Sequence, residues 1–174
     1  NEWPINGAVV GAAVGAGVGK WSVGDMVCAL TNGGGYAEYC AVDARHCLPL
    51  PHGFNQLEAA SVPETFFTIW SNVFMGAKLS RGEVFLVHGG AGGLGTTSIQ
   101  LAKAIGATVV AVDSPAERCK VCSDLGADLT VDFREQDFVE IIRGAYKGAD
   151  VILDIIGGEN IAKNIKASKP DGRI

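Results

Sequence analysis

Five consecutive strand-forming residues, Val84-Phe85-Leu86-Val87-His88, lead into Gly89-Gly90-Ala91-Gly92-Gly93-Leu94-Gly95 and then into Thr96 to Ile105, which is apolar and small at helical spacing. Strand, glycine turn and helix in that order form the opening of a βαβ unit. Gly90, Gly92 and Gly95 fit G-x-G-x-x-G. In that spacing one glycine makes the tight turn, one lets a pyrophosphate approach the backbone, and one lets helix and strand pack closely. Free N–H groups and the positive end of the helix dipole make such a helix start an anion site without a cationic side chain. Accordingly, no Lys or Arg lies between Glu83 and Gln100.

A glycine loop alone is a weak signal, and its plain alternative is a turn. The context strengthens it. Gly106 is placed to cap the helix, and a second strand, Thr108 to Val112, ends in Asp113, which supplies the acid that dinucleotide sites use. Walker A phosphate binding needs a Gly-Lys-Ser/Thr ending that is absent here.

The rest of the chain narrows the class. Of 174 residues, 48% are hydrophobic and 19% charged, enough for one domain plus part of another. A net charge of −5 offers no basic face, which argues against nucleic acid as the main partner. The five cysteines (28, 40, 47, 119 and 122) are odd in number and scattered, as expected of reduced thiols in a cytosol. Cys119 and Cys122 form a C-x-x-C inside a predicted helix, where packing outweighs zinc or redox chemistry. Residues 5–19 are apolar, but five glycines suit them to strands and turns better than to a membrane helix.

In chain order, residues 1–50 read as all-β, with strands at Ala8 to Val14, Met26 to Leu30 and an alternating run from Tyr36 to Val42. Asn55 with Glu58 fits a capping box, and Pro63 suits the first turn of a helix that groups Phe66, Trp70, Val73 and Phe74 on one face. From Arg81 strand and helix alternate: 84–88, 94–105, 108–112, 115–125, 128–132, 135–144, 150–154 and 159–168. That alternation means a parallel sheet covered by helices. After the turn at Asp171-Gly172 a further strand is expected from Arg173. Four complete strands, where such a domain has about six, leave an edge on Val151 to Leu153 and point to a piece of a longer protein.

Together with the glycine loop, three segments carry a resemblance: Gly33-Gly34-Gly35-Tyr36-Ala37-Glu38-Tyr39, Glu64-Thr65-Phe66-Phe67-Thr68-Ile69-Trp70 and Val151-Ile152-Leu153-Asp154-Ile155-Ile156-Gly157-Gly158. The chain resembles the medium-chain dehydrogenase/reductase superfamily, closest to its zinc-free NAD(P)H:quinone oxidoreductases. The resemblance implies an incomplete Rossmann-type parallel sheet over 63–174, preceded over 1–62 by part of a GroES-like β-barrel domain. It implies NADPH or NADH as cofactor, a quinone or enone as small-molecule substrate, a cytoplasmic homodimer for the whole protein, and no membrane. Where zinc relatives place ligands, this chain has Ile5, Asn6 and Glu64, so no metal is expected.

By the same resemblance, Thr68 contacts the nicotinamide, and Gly90, Gly92, Gly93, Leu94 and Gly95 form the pyrophosphate loop. Asp113, Ser114, Arg118 and Phe133 hold the adenosine ribose and its phosphate, and Ile156 and Gly157 complete the cofactor site. Asp113 favours NADH, whereas Arg118 favours NADPH. No catalytic residue is assigned. His88 reads as a satisfied structural histidine, and Asp154 as a cap for the turn after it. An enoyl-thioester reductase and a non-enzymatic, crystallin-like cofactor binder are the alternative functions.

Overall fold

The computed structural model describes residues 7–10 and 13–174. It divides into two compact units, residues 1–67 and 68–174. In the first, β1 (Gly7–Val10), β2 (Met26–Ala29) and β3 (Cys47–Pro49) form an antiparallel sheet in the order β1-β2-β3. Val27, Ala29 and Cys47 share one buried cluster, with Trp21 and Val42 packed against it. The expected capping box forms at α1 (Gln56–Ala60): Glu58 N–H donates to Asn55 Oδ1 (3.0 Å) and Asn55 N–H to Glu58 Oε2 (2.8 Å).

Two expectations for this unit change. The first strand ends at Val10, and Gly11, Ala12, Ile5 and Asn6 lie outside the described residues. Tyr36 to Val42 forms no strand. A pleat needs a neighbouring edge to pair with, and here the chain turns instead, with Ala37 N–H donating to Gly34 O at 3.0 Å.

Helix α2 (Val62–Ile69) runs on into a π-helical turn, Trp70–Gly76. The second unit then builds β4 (Val84–His88), α3 (Gly93–Ile105), β5 (Thr108–Asp113), α4 (Ala116–Asp124), β6 (Leu129–Asp132), α5 (Phe138–Tyr146), β7 (Ala149–Leu153), α6 (Asn160–Ala167) and β8 (Ser168–Arg173). All five strands are parallel to their neighbours, in the order β6-β5-β4-β7-β8. Period-2 alternation sorts their side chains between two cores. Phe85, Val87, Val109, Ala111 and Val151 pack with Ile99 and Ala102 of α3 and Cys122 of α4. Val84, Leu86, Val110, Val112, Val131 and Ile152 pack with Phe138 and Ile142 of α5 and Ala167 of α6. Both faces are therefore covered, as a parallel sheet requires.

β8 begins at Ser168, not at Arg173, and gives the sheet a fifth strand. Asp171-Gly172, read from sequence as a break, lies inside it. Asp171 takes a φ of 62°, and the register with β7 shifts between Ala149↔Ser168 and Val151↔Arg173. The turn signal marks an irregularity within a strand. Val151, expected on a bare edge, is paired with Arg173.

The chain builds outward from β4 through β5 to β6, then returns to the other side of β4 with β7. The crevice at the carboxyl ends of β4 and β7 is therefore a topological switch point, where open α/β sheets bind ligands.

Candidate dinucleotide site

The glycine loop leaves β4 at this switch point. A Cβ on Gly95 would collide with the carbonyl oxygens of Gly89 and Gly90, and one on Gly90 would come within 3.0 Å of Ala111 Cβ. These two positions admit only glycine because the loop is folded tightly against the start of α3 and against β5. Gly92 differs. Its backbone is extended (φ −82°, ψ 172°), and a Cβ there would meet only Gly89 O, at 3.2 Å. Gly92 occupies the N-cap of α3 without a side-chain cap, and its carbonyl accepts from Thr96 N–H at 2.8 Å. The amides of Gly93, Leu94 and Gly95 occupy the first turn, where a helix offers N–H groups with no intrahelical acceptor. With no acidic residue in that turn, the helix start is left to an external anion.

Asp113 is brought to the loop, but with its carboxylate occupied. Oδ2 accepts from Ala91 N–H (2.7 Å) and Arg118 Nη2 (3.2 Å); Oδ1 accepts from Ser114 N–H and Arg118 Nε, both at 2.7 Å. Its side chain is 6% exposed and that of Arg118 47%. Burial pushes this carboxyl up, and the Arg118, Ala91 and Ser114 hydrogen bonds outweigh burial, leaving it below the ordinary carboxylate range. The two charges that sequence reading set against each other form one ion pair. This pair joins the end of β5 to the glycine loop and to α4.

On the α5/α6 side, a cavity of about 320 Å³ opens at the strand ends. His88, Val112, Phe133, Phe138, Ile156 and Gly157 supply much of its wall, and Gln136, Glu159, Asn160 and Lys163 its polar part. Phe133, Ile156 and Gly157 are thus brought together. Thr68 is not among the lining residues; it sits in α2, where its carbonyl accepts from Asn72 Nδ2 at 2.8 Å. Ser114 Oγ is buried without a hydrogen-bond partner.

Behind this wall runs a buried polar chain. His88 Nε2 and Asn164 Oδ1 are 2.8 Å apart, Asn164 Nδ2 donates to Asp154 Oδ2 at 2.8 Å, and Asp154 Oδ1 accepts from the N–H groups of Ile156 and Gly157, each at 2.9 Å. Asp154 caps the turn that follows it. The His88 ring stands edge-on to Phe138, with centroids 4.8 Å apart. Burial lowers the affinity of His88 for a second proton, against the opposing pull of Asn164 and Asp154, so the ring is neutral near pH 7. Asn164, Asn160 and Lys163 escaped sequence reading. The available signal was their place in the first two turns of the helix after β7, which α/β topology aims at the crevice.

The C-x-x-C thiols are both buried and free, and burial pushes Cys122 up to about 11. They pack, as expected from sequence.

An open parallel sheet with a glycine loop and an uncapped helix start at its switch point defines a dinucleotide-binding α/β domain. Residues 93–174 match the family model described as zinc-binding dehydrogenase. The chain is 33% identical over 163 residues to the synaptic vesicle membrane protein VAT-1 homolog of Danio rerio, covering 93% of this chain and 34% of that protein. It is 31% identical over 165 residues to the quinone oxidoreductase of Rattus norvegicus, covering 93% of this chain and 50% of the relative. The crystal structure of the JamJ enoyl reductase superposes with a TM-score of 0.90 at 30% identity, over 98% of this chain and 52% of that one. By these likenesses the chain is similar to members of the medium-chain dehydrogenase/reductase superfamily. It spans half or less of the length of the two relatives named. No helix among the described residues is long and apolar enough to cross a membrane.

Proposed function

We propose that the chain carries the cofactor-binding part of an NAD(P)H-dependent oxidoreductase that passes hydride, without zinc, to a quinone or another conjugated carbonyl. The observation that carries the reading is the uncapped start of α3 beside a cavity at the switch point. The first-turn amides hold the pyrophosphate, and Gly92 leaves room for it. Phe133, Ile156 and Gly157 take the adenosine end, Ser114 and Arg118 its ribose and phosphate, and Thr68 the nicotinamide side. When bound, a reduced nicotinamide supplies the hydride; the protein's part is to bind and orient it.

Residue chemistry supports the zinc-free part, since Ile5 and Asn6 stand at family ligand positions and neither is a usual zinc ligand. Without a Lewis acid, a conjugated acceptor is the easier substrate, because its charge after hydride addition is delocalised and hydrogen bonds suffice to hold it. By the same resemblance the whole protein is a cytoplasmic homodimer. Likeness to the JamJ enoyl reductase supports a second reading, an enoyl-thioester reductase with the same hydride step.

The test is titration of the purified chain with NADPH and NADH, followed by cofactor fluorescence. Saturable binding of either is expected; binding of neither overturns the reading. Oxidation of NADPH by a 1,2-quinone or by an enoyl thioester, with the full-length protein, separates the two substrate classes.

A further inference from the structure

The buried chain from Asp154 to His88 fixes more than a turn. The carboxylate of Asp154 only accepts, so the amide nitrogen of Asn164 faces it and the amide oxygen faces His88. An amide oxygen also only accepts, so His88 Nε2 must carry the ring's proton. In a neutral imidazole the other nitrogen is then an acceptor. Nδ1 makes no hydrogen bond among the described residues. It is also not one of the sealed, unpartnered side-chain atoms, which are Ser114 Oγ and Arg173 Nε. The residue is 2% exposed overall, and the space it borders is the cavity shared with Phe133, Val112 and Ile156.

We infer that His88 is a specificity-determining residue of this cavity: its Nδ1 accepts a hydrogen bond from the exocyclic amine of a flat purine base, and Asn164 and Asp154 are positioning residues that hold the tautomer. The inference rests on the dinucleotide reading above. A base with a carbonyl in place of that amine would set one acceptor against another inside a largely apolar wall, where an unmade hydrogen bond is costly. Phe133, Phe138 and Ile156 provide surfaces for the faces of such a base, which by themselves do not tell one purine from another.

The experiment compares binding of NADH with that of nicotinamide hypoxanthine dinucleotide, reduced form, in which a carbonyl replaces the amine and the neighbouring ring nitrogen N1 carries a proton. The unaltered chain is expected to bind NADH about tenfold more tightly. His88→Phe keeps an aromatic ring against Phe138 and removes the acceptor, so the ratio should fall close to one. Asn164→Leu leaves the imidazole in place but releases its tautomer, and should lower the ratio as well. A purely structural role would weaken both dinucleotides equally and leave the ratio unchanged. Equal affinities in the unaltered chain, or a ratio unmoved in a folded His88→Phe, would overturn the inference and leave the dinucleotide reading standing. Binding of neither dinucleotide would overturn both.

Discussion

In residues 68–174 every residue of β4 is buried, and both faces of the sheet carry an apolar cluster closed by helices. In residues 1–67 the described sheet has three short strands and a cluster built around Val27, Ala29 and Cys47. Tyr36, Tyr39 and Leu57 stand 92%, 78% and 85% exposed, and a cavity of about 850 Å³ lies beside Trp21 and Cys47. The difference teaches where the site gets its definition. The glycine loop, Asp113 and the His88 chain all hang from strands that are sealed on both faces, so their positions follow from close packing, which tolerates little displacement. The first unit has less to hold it in one form.

The contrast predicts unequal sensitivity to the loss of a core side chain. Phe85→Ala removes a fully buried ring from the first cluster of the second unit and should cost about 3–5 kcal/mol. Val27→Ala in the first unit removes two carbons, about 1.5 kcal/mol at ~0.8 kcal/mol per buried carbon. Hydrogen exchange read peptide by peptide reports each unit by itself. Equal losses would break the comparison.

The next effect distinguishes two glycines of one loop. Gly95→Ala pushes a Cβ into the carbonyls of Gly89 and Gly90, so it should destabilise the second unit by about 1–3 kcal/mol and abolish dinucleotide binding. The Cβ of Gly92→Val would meet only Gly89 O, at 3.2 Å, and the substitution should leave circular dichroism nearly unchanged while removing cofactor fluorescence enhancement. Unchanged affinity in Gly92→Val would take the loop out of the site.

These sensitivities follow what was legible in the sequence. Strands β4 to β7 declared themselves because a buried parallel strand is a continuous apolar run, and the helices because glycine and proline punctuate them; β8, Ser168–Arg173, has no such run and was not legible. Gly106 caps α3 at φ 85°, as its position after the periodic stretch implied. The first unit was harder, since alternation from Tyr36 to Val42 says nothing about whether a partner edge exists. The helical face drawn through Phe66, Trp70, Val73 and Phe74 holds in part, with Val73 buried, Phe74 packed against the core and Trp70 stacked on Phe74 (ring centroids 5.1 Å apart), and departs at Trp70 for a local reason. The turn widens to π geometry at Trp70, leaving it 52% exposed while Ile69 and Val73 are buried. In the site, the glycine loop was legible from local spacing. The pairing of His88 with Asn164, 76 positions away, was not, because it depends on which side of β4 the returning strand takes. The ion pair of Asp113 with Arg118 was missed because both residues were read as facing the cofactor.

That ion pair supports a smaller, sharper test. Asp113→Gly frees Arg118 and the Ala91 amide together, and should shift selectivity toward NADPH by about tenfold, or ~1.4 kcal/mol. If Asp113 serves only to lock the loop, both cofactors weaken alike. Its pH signature is separate. Because the folded carboxyl lies below its unfolded value, its contribution to stability is fully present above about pH 4 and disappears as pH falls through the folded value. Asp113→Asn should flatten the acid limb of the stability curve, and an unchanged limb would mean the pair does not form.

The smallest expected effect concerns charge on the outside of the same unit. Lys120 and Asp124 form an i,i+4 pair at 2.7 Å on α4, with side chains 72% and 61% exposed. Such pairs contribute about 0.3–0.5 kcal/mol, and this one has the cation toward the helix N-terminus, the weaker orientation. Lys103 and Asp128 make a different kind of contact at a similar distance, 2.8 Å. Their side chains are 33% and 36% exposed, and Asp128 Oδ2 also accepts from Val109 N–H at 2.7 Å, tying α3 to the start of β5. Lys120→Ala should therefore change urea stability by less than about 0.5 kcal/mol, and added salt should erase the change. Lys103→Ala should cost more, up to about 1 kcal/mol. A loss at Lys120 as large as that at Lys103 would mean that the added tie to β5 contributes nothing beyond an exposed ion pair.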